Sequence, residues 1–352
     1  MKKRWLVITL AAALLTFAFA WDRLTASSFA KPSGPEPLLL ERATLITNVG
    51  NWVEVQLAVG DYLWWSPTQV LAFSGENEET LIEIKTKART HAHAPALRPH
   101  QWQLSPDRKM VIHEKWEGRK LTWTITDPTG VKQFGSWSIA SRTPQSMPDA
   151  DAGYADPEAK WSEDGKSIYQ IECWPQGSSL CFQVTERPTA RPEIGHAYPV
   201  AVTTDRATTL DVHDGKALMI PYQRQDPKEF TLKEWNLDSR AKSLREWKIA
   251  APKGHVIIDY TPSPDFRKAL WLMGQPGAKI LDATNAYPYR SISLWTSDLH
   301  GENMKEIGAI PFQTEDDMKQ MDHFQHFGGL LWNPDCAHVS FIYYRKLYIV
   351  PA

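Results

Sequence analysis

Histidine side chains occur in two short groups whose spacing suits metal binding. His91 and His93 flank one alanine, which places both imidazoles on one side of an extended chain, and His100 follows seven residues later. His323 and His326 lie three residues apart, a spacing that a helix would bring to one face. Neutral imidazole is the commonest metal ligand among side chains, so the two groups could hold a divalent metal if they met. The alternative is that they are solvated loop histidines that never meet.

The chain contains three cysteines, two of which are close in sequence. Cys173 and Cys181 lie symmetrically about Gly177, as facing positions of a hairpin would. In an oxidising compartment they could form a disulfide, and the alternative is two buried thiols in one sheet. Cys336 has no neighbouring base in the sequence, and we expect it to be a small buried apolar residue.

Common signatures of catalysis and of nucleic-acid binding are absent from the sequence. It contains no G-x-S-x-G elbow, no glycine-rich phosphate loop and no H-E-x-x-H pair. Lys and Arg together number 39 against 41 Asp and Glu, a net charge of -2. A nucleic-acid protein carries a marked basic excess, so we expect no nucleic-acid partner.

The first 40 residues predict export followed by a linker. Lys2, Lys3 and Arg4 precede the uncharged apolar run Trp5–Ala20, which ends in a small-x-small pattern. This arrangement is typical of a signal peptide, and an uncleaved membrane anchor is the alternative. Either interpretation places the protein outside the cytoplasm. We expect contact with the membrane only if residues 1–20 stay uncleaved. Residues 21–40 are rich in Ser, Pro and Gly and are predicted to be a linker.

One short turn pattern recurs along the chain and predicts its architecture. An aromatic or apolar residue ends one strand, Pro and Asp occupy the turn, and a β-rich run begins the next strand. Trp102–Ile112 shows this pattern most completely. Six copies are recognisable, at residues 65–68, 102–112, 161–166, 210–216, 260–265 and 332–335.

The spacing of these copies predicts an all-β, six-bladed β-propeller, with five or seven blades as alternatives. Successive turns are 39 to 70 residues apart, close to the roughly 40–50 residues of propeller repeats once loop insertions are allowed for. Two surplus strand candidates, residues 43–49 and 52–59, precede the first copy. We expect one of them to complete the last blade, because closure of the ring hides its open sheet edges. The predicted propeller spans residues 41–352.

Two stretches interrupt the repeat. Residues 302–329 are too long for a plain connection, and Thr314 followed by Glu315–Asp317 predicts the start of a short amphipathic helix before the last blade. We expect this helix to cover the propeller core, and a lid or a partner-binding surface is the alternative. Residues 141–160 are rich in Pro, Asp and Ala and are predicted to form an acidic surface loop.

The recurring W-x-S-P-D-x-[KR] turn, followed by a β-run and L-x-[IVW]-x-[DN]-x-x-G, resembles the TolB-type, WD40-like β-propeller repeat. The second, third and sixth copies match it best, whereas the fourth lacks the Trp and the Pro and the first lacks the Asp. The resemblance covers roughly residues 40–352. It implies that the repeat residues are structural and that any activity lies in loops at the ends of the central channel.

Function is indicated only by class. The repeat, the export signal and the missing catalytic signatures lead us to expect a periplasmic or secreted, non-catalytic binding or scaffold module. We expect it to need no cofactor and to bind a protein or polysaccharide ligand that the sequence does not identify. The alternative is a carbohydrate-active hydrolase or lyase with a divalent metal held by the loop histidines at the channel mouth.

Overall fold

A computed structural model of the chain describes residues 38–48, 62–73, 79–92, 102–140, 157–176, 179–203, 208–221, 228–237, 245–276, 289–311, 327–343 and 346–352. Within these ranges the chain forms one short helix, α1 (Leu39–Arg42), and 24 β-strands. None of the helical segments in these ranges is long and apolar enough to cross a bilayer.

The strands form six antiparallel four-stranded sheets, which are the blades of a propeller. Blade 1 contains β2 (Tyr62–Ser66), β3 (Gln69–Phe73), β4 (Glu79–Glu83) and β5 (Arg89–Ala92). Blade 2 contains β6 (Trp102–Leu104), β7 (Val111–Glu117), β8 (Lys120–Thr126) and β9 (Gln133–Ala140). Blade 3 contains β10 (Glu158–Trp161), β11 (Ser167–Gln176), β12 (Ser179–Pro188) and β13 (His196–Thr203).

The second half of the chain repeats this order. Blade 4 contains β14 (Thr208–His213), β15 (Lys216–Pro221), β16 (Glu229–Asn236) and β17 (Arg245–Ala250). Blade 5 contains β18 (Val256–Pro262), β19 (Lys268–Pro276), β20 (Tyr289–Asp298) and β21 (Lys305–Pro311). Blade 6 contains β22 (Phe327–Trp332), β23 (His338–Tyr343), β24 (Lys346–Pro351) and, as its outermost strand, β1 (Thr44–Asn48).

The prediction of a six-bladed all-β propeller is therefore confirmed. Each of the six sequence repeats forms the turn between the first and second strands of one blade. The apolar runs that follow the turns become second strands, which are buried on both sides: Val70, Leu71 and Ala72 of β3 are each at most 6% exposed. Such continuous apolar strands are expected where a sheet packs between two neighbours.

Ring closure uses the first of the two surplus strands. β1 pairs antiparallel with β24, with Thr44 opposite Ile349 and Asn48 opposite Lys346. The expectation that an early strand completes the last blade is thus confirmed, and the second candidate, residues 52–59, lies outside the described residues. Arg89 of blade 1 donates from Nη2 to the Thr47 hydroxyl at 2.9 Å, which ties β1 to the first blade as well as to the last.

The hydrophobic core is divided into six clusters, one at each junction between neighbouring blades. The largest lies between blades 5 and 6 and includes Leu39 of α1. The smallest lies between blades 1 and 2 and is built on Leu63, Leu71 and Val111. Because each cluster takes side chains from two sheets, no blade completes its core without both of its neighbours.

Several predicted segments fall outside the described residues. These are the N-terminal signal or anchor helix (residues 1–20), most of the linker and the short helix predicted from Thr314. The last residues of the predicted linker are described: Leu38 bridges Ala309 of β21 and Leu39 is 1% exposed between blades 5 and 6. The packed structure therefore includes the end of that linker.

Ring closure can be tested at two adjacent residues of β1 that face in opposite directions. Ile46 is 5% exposed in the cluster between blades 6 and 1, whereas Leu45 is 44% exposed. We expect Ile46→Ala to lower the free energy of unfolding by about 2–5 kcal/mol, because it leaves a cavity at the closure. The matched control Leu45→Ala should change it by no more than about 0.5 kcal/mol.

Urea denaturation followed by tryptophan fluorescence measures both variants. Equal and small effects of the two substitutions would contradict the closure, because they would mean that β1 contributes no packing to the ring.

Candidate functional site

The repeat turns of blades 2, 3 and 5 share one hydrogen-bond arrangement, described first for blade 2. The Arg108 backbone N–H donates to the Ser105 carbonyl oxygen at 2.8 Å and closes the turn. The Ser105 hydroxyl donates to Asp107 Oδ1 at 2.8 Å and accepts from the Met110 N–H at 2.9 Å. Asp107 Oδ1 also accepts from the Lys109 N–H at 3.1 Å. Serine and aspartate therefore satisfy the polar groups of a tight turn, as the sequence pattern predicts.

The same contacts recur in blades 3 and 5. The Ser162 hydroxyl donates to Asp164 Oδ1 at 2.9 Å, and the Ser263 hydroxyl donates to Asp265 Oδ1 at 2.6 Å. Blade 6 replaces the serine with Asn333, whose Nδ2 donates to the Pro67 carbonyl oxygen at 3.0 Å. That bond joins the last repeat turn to the first one across the closure.

The fourth turn residue adopts a left-handed backbone. Its φ is 61° at Arg108, 50° at Phe266 and 55° at Cys336, whereas Gly165 fills the position in blade 3 with φ 68°. A non-glycine residue in this region costs about 1–2 kcal/mol, so the surrounding hydrogen bonds must hold it there. Arg108, Phe266 and Cys336 all line the central cavity, which makes this position one source of the channel wall.

Residues from the repeat turns of blades 2 to 6 line one cavity, and Asn333 of the blade 6 turn bonds Pro67 of the blade 1 turn, so the six repeat turns lie at the same end of the channel. This end, which we call the turn end, opens into a cavity of about 1000 Å³. Every blade contributes to its lining, through residues that include Trp64, Arg108, Lys160, His213, Phe266 and Trp332. Ligand pockets in proteins usually measure about 300–1,000 Å³, so this cavity is large enough for an organic ligand.

A salt bridge joins blades 3 and 4 within the cavity wall. Lys160 Nζ lies 2.8 Å from Asp211 Oδ1 and 3.5 Å from Glu158 Oε2. Burial by itself would lower the pKa of Lys160, but the attraction of Asp211 and Glu158 outweighs burial and raises the pKa above its ordinary value. Lys160 is therefore held as an ammonium group.

An acidic, an imidazole and an aromatic side chain follow one another around the next part of the wall. His213 Nε2 lies 3.6 Å from Glu163 Oε2, and the His213 ring centroid is 4.8 Å from that of Phe266. These residues come from blades 3, 4 and 5 respectively, and all three line the cavity. Glu163 is the most open of them, with a side chain that is 71% exposed.

Indole rings complete the wall on the side of the closure. Trp64 Nε1 donates to the Ser340 hydroxyl at 2.9 Å, and Trp332 Nε1 donates to the Thr261 carbonyl oxygen at 3.0 Å. Both bonds cross a blade junction, so the polar edge of each ring is satisfied inside the protein. The rings are fixed, and they give the cavity a rigid apolar surface.

One of the five histidines proposed as metal ligands is described. His91 lies on β5, the outermost strand of blade 1, opposite Thr80, and its side chain is exposed. His93, His100, His323 and His326 lie outside the described residues, so the histidine metal site stays a prediction. Among the residues that are described, no three His, Cys, Asp or Glu side chains are grouped so that they could hold a metal ion.

The cysteine pair is offset from the arrangement expected from the sequence. In the hairpin of β11 and β12, Cys173 faces Phe182 and Cys181 faces Trp174, so the predicted facing positions are wrong by one residue. Successive side chains of a strand point to opposite faces, which places the two thiols on opposite faces of the sheet. Both are buried thiols that form no disulfide, and burial raises the pKa of Cys173 to about 11. This geometry supports the alternative of two buried thiols.

Sequence reasoning missed the charged residues of the cavity. Glu158 and Lys160 fall within the predicted acidic loop 141–160, but Glu158–Trp161 is β10, the first strand of blade 3. Lys160 and Asp211 are 51 residues apart in the chain, and only the packing of blades 3 and 4 brings them together. The available signal was their position immediately before two repeat turns, which places both at the turn end.

Comparison with known proteins finds solved structures of low similarity and no family. No family model and no curated protein matches the chain. Solved structures do match: hydrazine synthase of Kuenenia stuttgartiensis shares 13% identity over 83% of this chain and 75% of that chain, with a TM-score of 0.44. The chain is a β-propeller.

Two further structures have comparable scores. An oligogalacturonate lyase in complex with manganese shares 12% identity over 81% of this chain and 86% of that chain, with a TM-score of 0.42. TolB from Acinetobacter baumannii shares 11% identity over 83% of this chain and 63% of that chain, with a TM-score of 0.41. At such scores neither the activity nor the ligands of these proteins can be transferred to this chain.

The repeat turns predict a dependence of stability on pH. Hydrogen bonds from the Lys166 backbone and side chain, together with the Ser162 hydroxyl, lower the pKa of Asp164 to about 2. An aspartate in an unfolded chain has a pKa of about 3.9. Because the folded pKa is the lower one, the carboxylate stabilises the fold fully above about pH 4, and this contribution is lost as the pH falls toward about 2.

The variant Asp164→Asn keeps an acceptor oxygen but removes the charge. We expect it to be less stable than the wild type at pH 7, with a difference in urea midpoint that shrinks as the pH falls from 4 to 2. Glu193→Gln, at an exposed position outside the repeat turns, is the control and should show no such trend. A difference for Asp164→Asn that is the same at pH 2 and pH 7 would contradict this assignment.

Proposed function

We propose that this protein is a non-catalytic, extracytoplasmic β-propeller that binds a ligand or a partner segment at the turn end of its channel. The observation that carries this proposal is the cavity of about 1000 Å³ whose wall includes residues from the repeat turns of blades 2 to 6. Fixed indole rings and a few charged groups line it, a combination typical of binding sites in proteins.

Most reactive groups of the cavity are engaged in the fold, which supports binding rather than catalysis. The hydroxyls of Ser105, Ser162 and Ser263 each donate to the aspartate of their own turn and accept a backbone N–H. All three serines are buried, so their hydroxyls are held inside the turns and are not presented to a ligand as nucleophiles.

Two further reactive groups of the cavity are also unavailable for catalysis. Burial raises the pKa of the Cys336 thiol, so it is protonated at neutral pH and is not an activated nucleophile. Lys160 is held as an ammonium group by Asp211 and Glu158, and it cannot act as a base near neutral pH. The remaining pair, His213 and Glu163, can orient a ligand by hydrogen bonds and charge.

Ligand binding at the turn end can be tested by blocking the cavity. Pro106 is exposed, lines the cavity and occupies the second position of the blade 2 repeat turn. Pro128 occupies the same position of the turn between β8 and β9, which Asp127 and Gly130 close. Pro106→Trp should fill the mouth of the cavity, and Pro128→Trp is the matched control in the same blade.

The measurement is a thermal-shift screen of wild type and both variants. The compounds are neutral sugars, oligouronates, amines, short basic and acidic peptides, and Mn²⁺ and Zn²⁺. We expect at least one compound to raise the midpoint for the wild type and Pro128→Trp but not for Pro106→Trp, since ligands stabilise the state that binds them. Compounds that stabilise all three proteins equally would contradict the proposal.

Chemical conversion of a bound sugar or uronate would overturn the non-catalytic part of the proposal. It is measured as release of new reducing ends or unsaturated products, with and without the divalent metals. Conversion that depends on His91, His93, His100, His323 and His326 would instead establish the alternative, a carbohydrate-active hydrolase or lyase.

Export and the state of the cysteines can be tested in one intact-mass measurement. Residues 1–20 support export through a signal peptide, and cleavage would give a mature chain beginning at Trp21. After unfolding and alkylation without a reductant, we expect three alkyl groups, because the thiols of Cys173 and Cys181 lie on opposite sheet faces. One alkyl group would establish the disulfide, and a chain that keeps Met1 would contradict cleavage.

A further inference from the structure

We propose that the ligand of the turn-end cavity is an organic cation that presents an ammonium or guanidinium group to Glu163. This inference rests on the proposed function, because it names the chemical class that the same cavity selects. It depends on the charge of the lining, on the position of Glu163 and on the aromatic side chains beside it.

Negative charge is concentrated in the cavity. Its lining includes five carboxylates, on Glu114, Glu158, Glu163, Asp211 and Asp265. Two basic side chains, Arg108 and Lys160, face them. Counted without His213, the described residues of the lining carry three more negative than positive charges, whereas the whole chain has a net charge of only -2. A cleft lined by one sign of charge focuses its field and attracts ligands of the opposite sign.

The carboxylates differ in how far they are already neutralised. Asp211 and Glu158 share the ammonium of Lys160, at 2.8 and 3.5 Å. Asp265 Oδ1 accepts the Ser263 hydroxyl and the Arg267 N–H inside its own turn. These groups are occupied by the fold, and their negative charge acts on a ligand from a distance.

Glu163 is placed differently. It occupies the second position of the blade 3 repeat turn, its side chain is 71% exposed, and His213 approaches it no closer than 3.6 Å. The same position is proline in blades 2, 5 and 6, at Pro106, Pro264 and Pro334, so the turn itself does not require a carboxylate there. Glu163 is therefore a charge that the fold does not need and that the cavity displays to solvent.

Aromatic side chains share the cavity wall with this carboxylate. Trp161, two residues before Glu163, lines the cavity, and so does Phe266, whose ring centroid is 4.8 Å from that of His213. The negative face of an aromatic ring attracts a cation within about 6 Å of its centroid. A carboxylate beside aromatic rings binds alkylammonium and guanidinium groups better than it binds neutral or anionic ones.

A bare metal ion fits this site less well than an organic cation. A metal requires several close ligands, and no such group of His, Cys, Asp or Glu occurs in the described part of the chain. A volume of about 1000 Å³ is also far larger than one ion needs. The same ammonium or guanidinium chemistry occurs in free polyamines and in basic segments of proteins.

The test compares both sources by isothermal titration calorimetry at low salt. The probes are spermidine, a blocked tetralysine peptide and a blocked tetraglutamate peptide. We expect one or both cationic probes to bind the wild type. Their affinity for Glu163→Gln should be about threefold to tenfold lower, and their affinity for Phe266→Leu about threefold lower. Glu193→Gln, which removes the same charge at an exposed site outside the cavity, should bind like the wild type.

Raising the salt concentration to 0.2 M should weaken the binding, since screening acts on exposed charges. Spermidine binding without tetralysine binding assigns a free polyamine, and the reverse assigns a basic segment of a partner. A cationic probe that binds wild type and Glu163→Gln equally would overturn the inference, as would stronger binding of tetraglutamate.

The experiments distinguish failure of the cation inference from failure of the proposed binding function. A neutral or anionic ligand that is lost in Pro106→Trp, together with no binding of either cation, would overturn the cation inference and leave the binding function intact. Cation binding that is unchanged by both Pro106→Trp and Glu163→Gln would place the interaction outside the cavity and overturn both.

Discussion

The pairing of β1 with β24 is the constraint on which the rest of the structure depends. Every blade buries its faces against two neighbours, so the core exists only as a closed series of junctions. Closure also brings Tyr62 and Trp64 of blade 1 to Ser340 of blade 6, where both side chains form hydrogen bonds of 2.8 and 2.9 Å. Without the early strand, β24 would be an open edge and this junction would lose Ile46.

The repeat turn serves both the fold and the cavity. Serine and aspartate close the turn, and the left-handed fourth position carries Arg108, Phe266 or Cys336 into the channel wall. The resemblance to TolB-type repeats implied that such residues are structural and that any activity lies in loops at the ends of the central channel. In this chain residues of the repeat turns themselves line a cavity of about 1000 Å³. Function and repetition are therefore compatible in one motif, since only some turn positions are fixed by its hydrogen bonds.

Charge at the turn end depends on contacts between blades. Lys160 meets Asp211 across the junction of blades 3 and 4, and His213 lies between Glu163 and Phe266 across two junctions. These groups belong to different blades, and the rigid ring of blades keeps them in place. This arrangement gives a preformed site, in which little conformational entropy is lost on binding.

The sequence by itself determined the architecture, because turn chemistry is local. The recurring turn pattern predicted six blades, and the surplus strand candidates before the first copy predicted a closing strand; both are present. The site was decided by tertiary structure. Lys160 and Asp211 are 51 residues apart in the chain. The residues that face Cys173 and Cys181 across their hairpin depend on where its turn is centred, and the sequence allowed two positions. Pairings of this kind follow from how sheets pack and align, and a one-residue change of register moves a side chain to the opposite face.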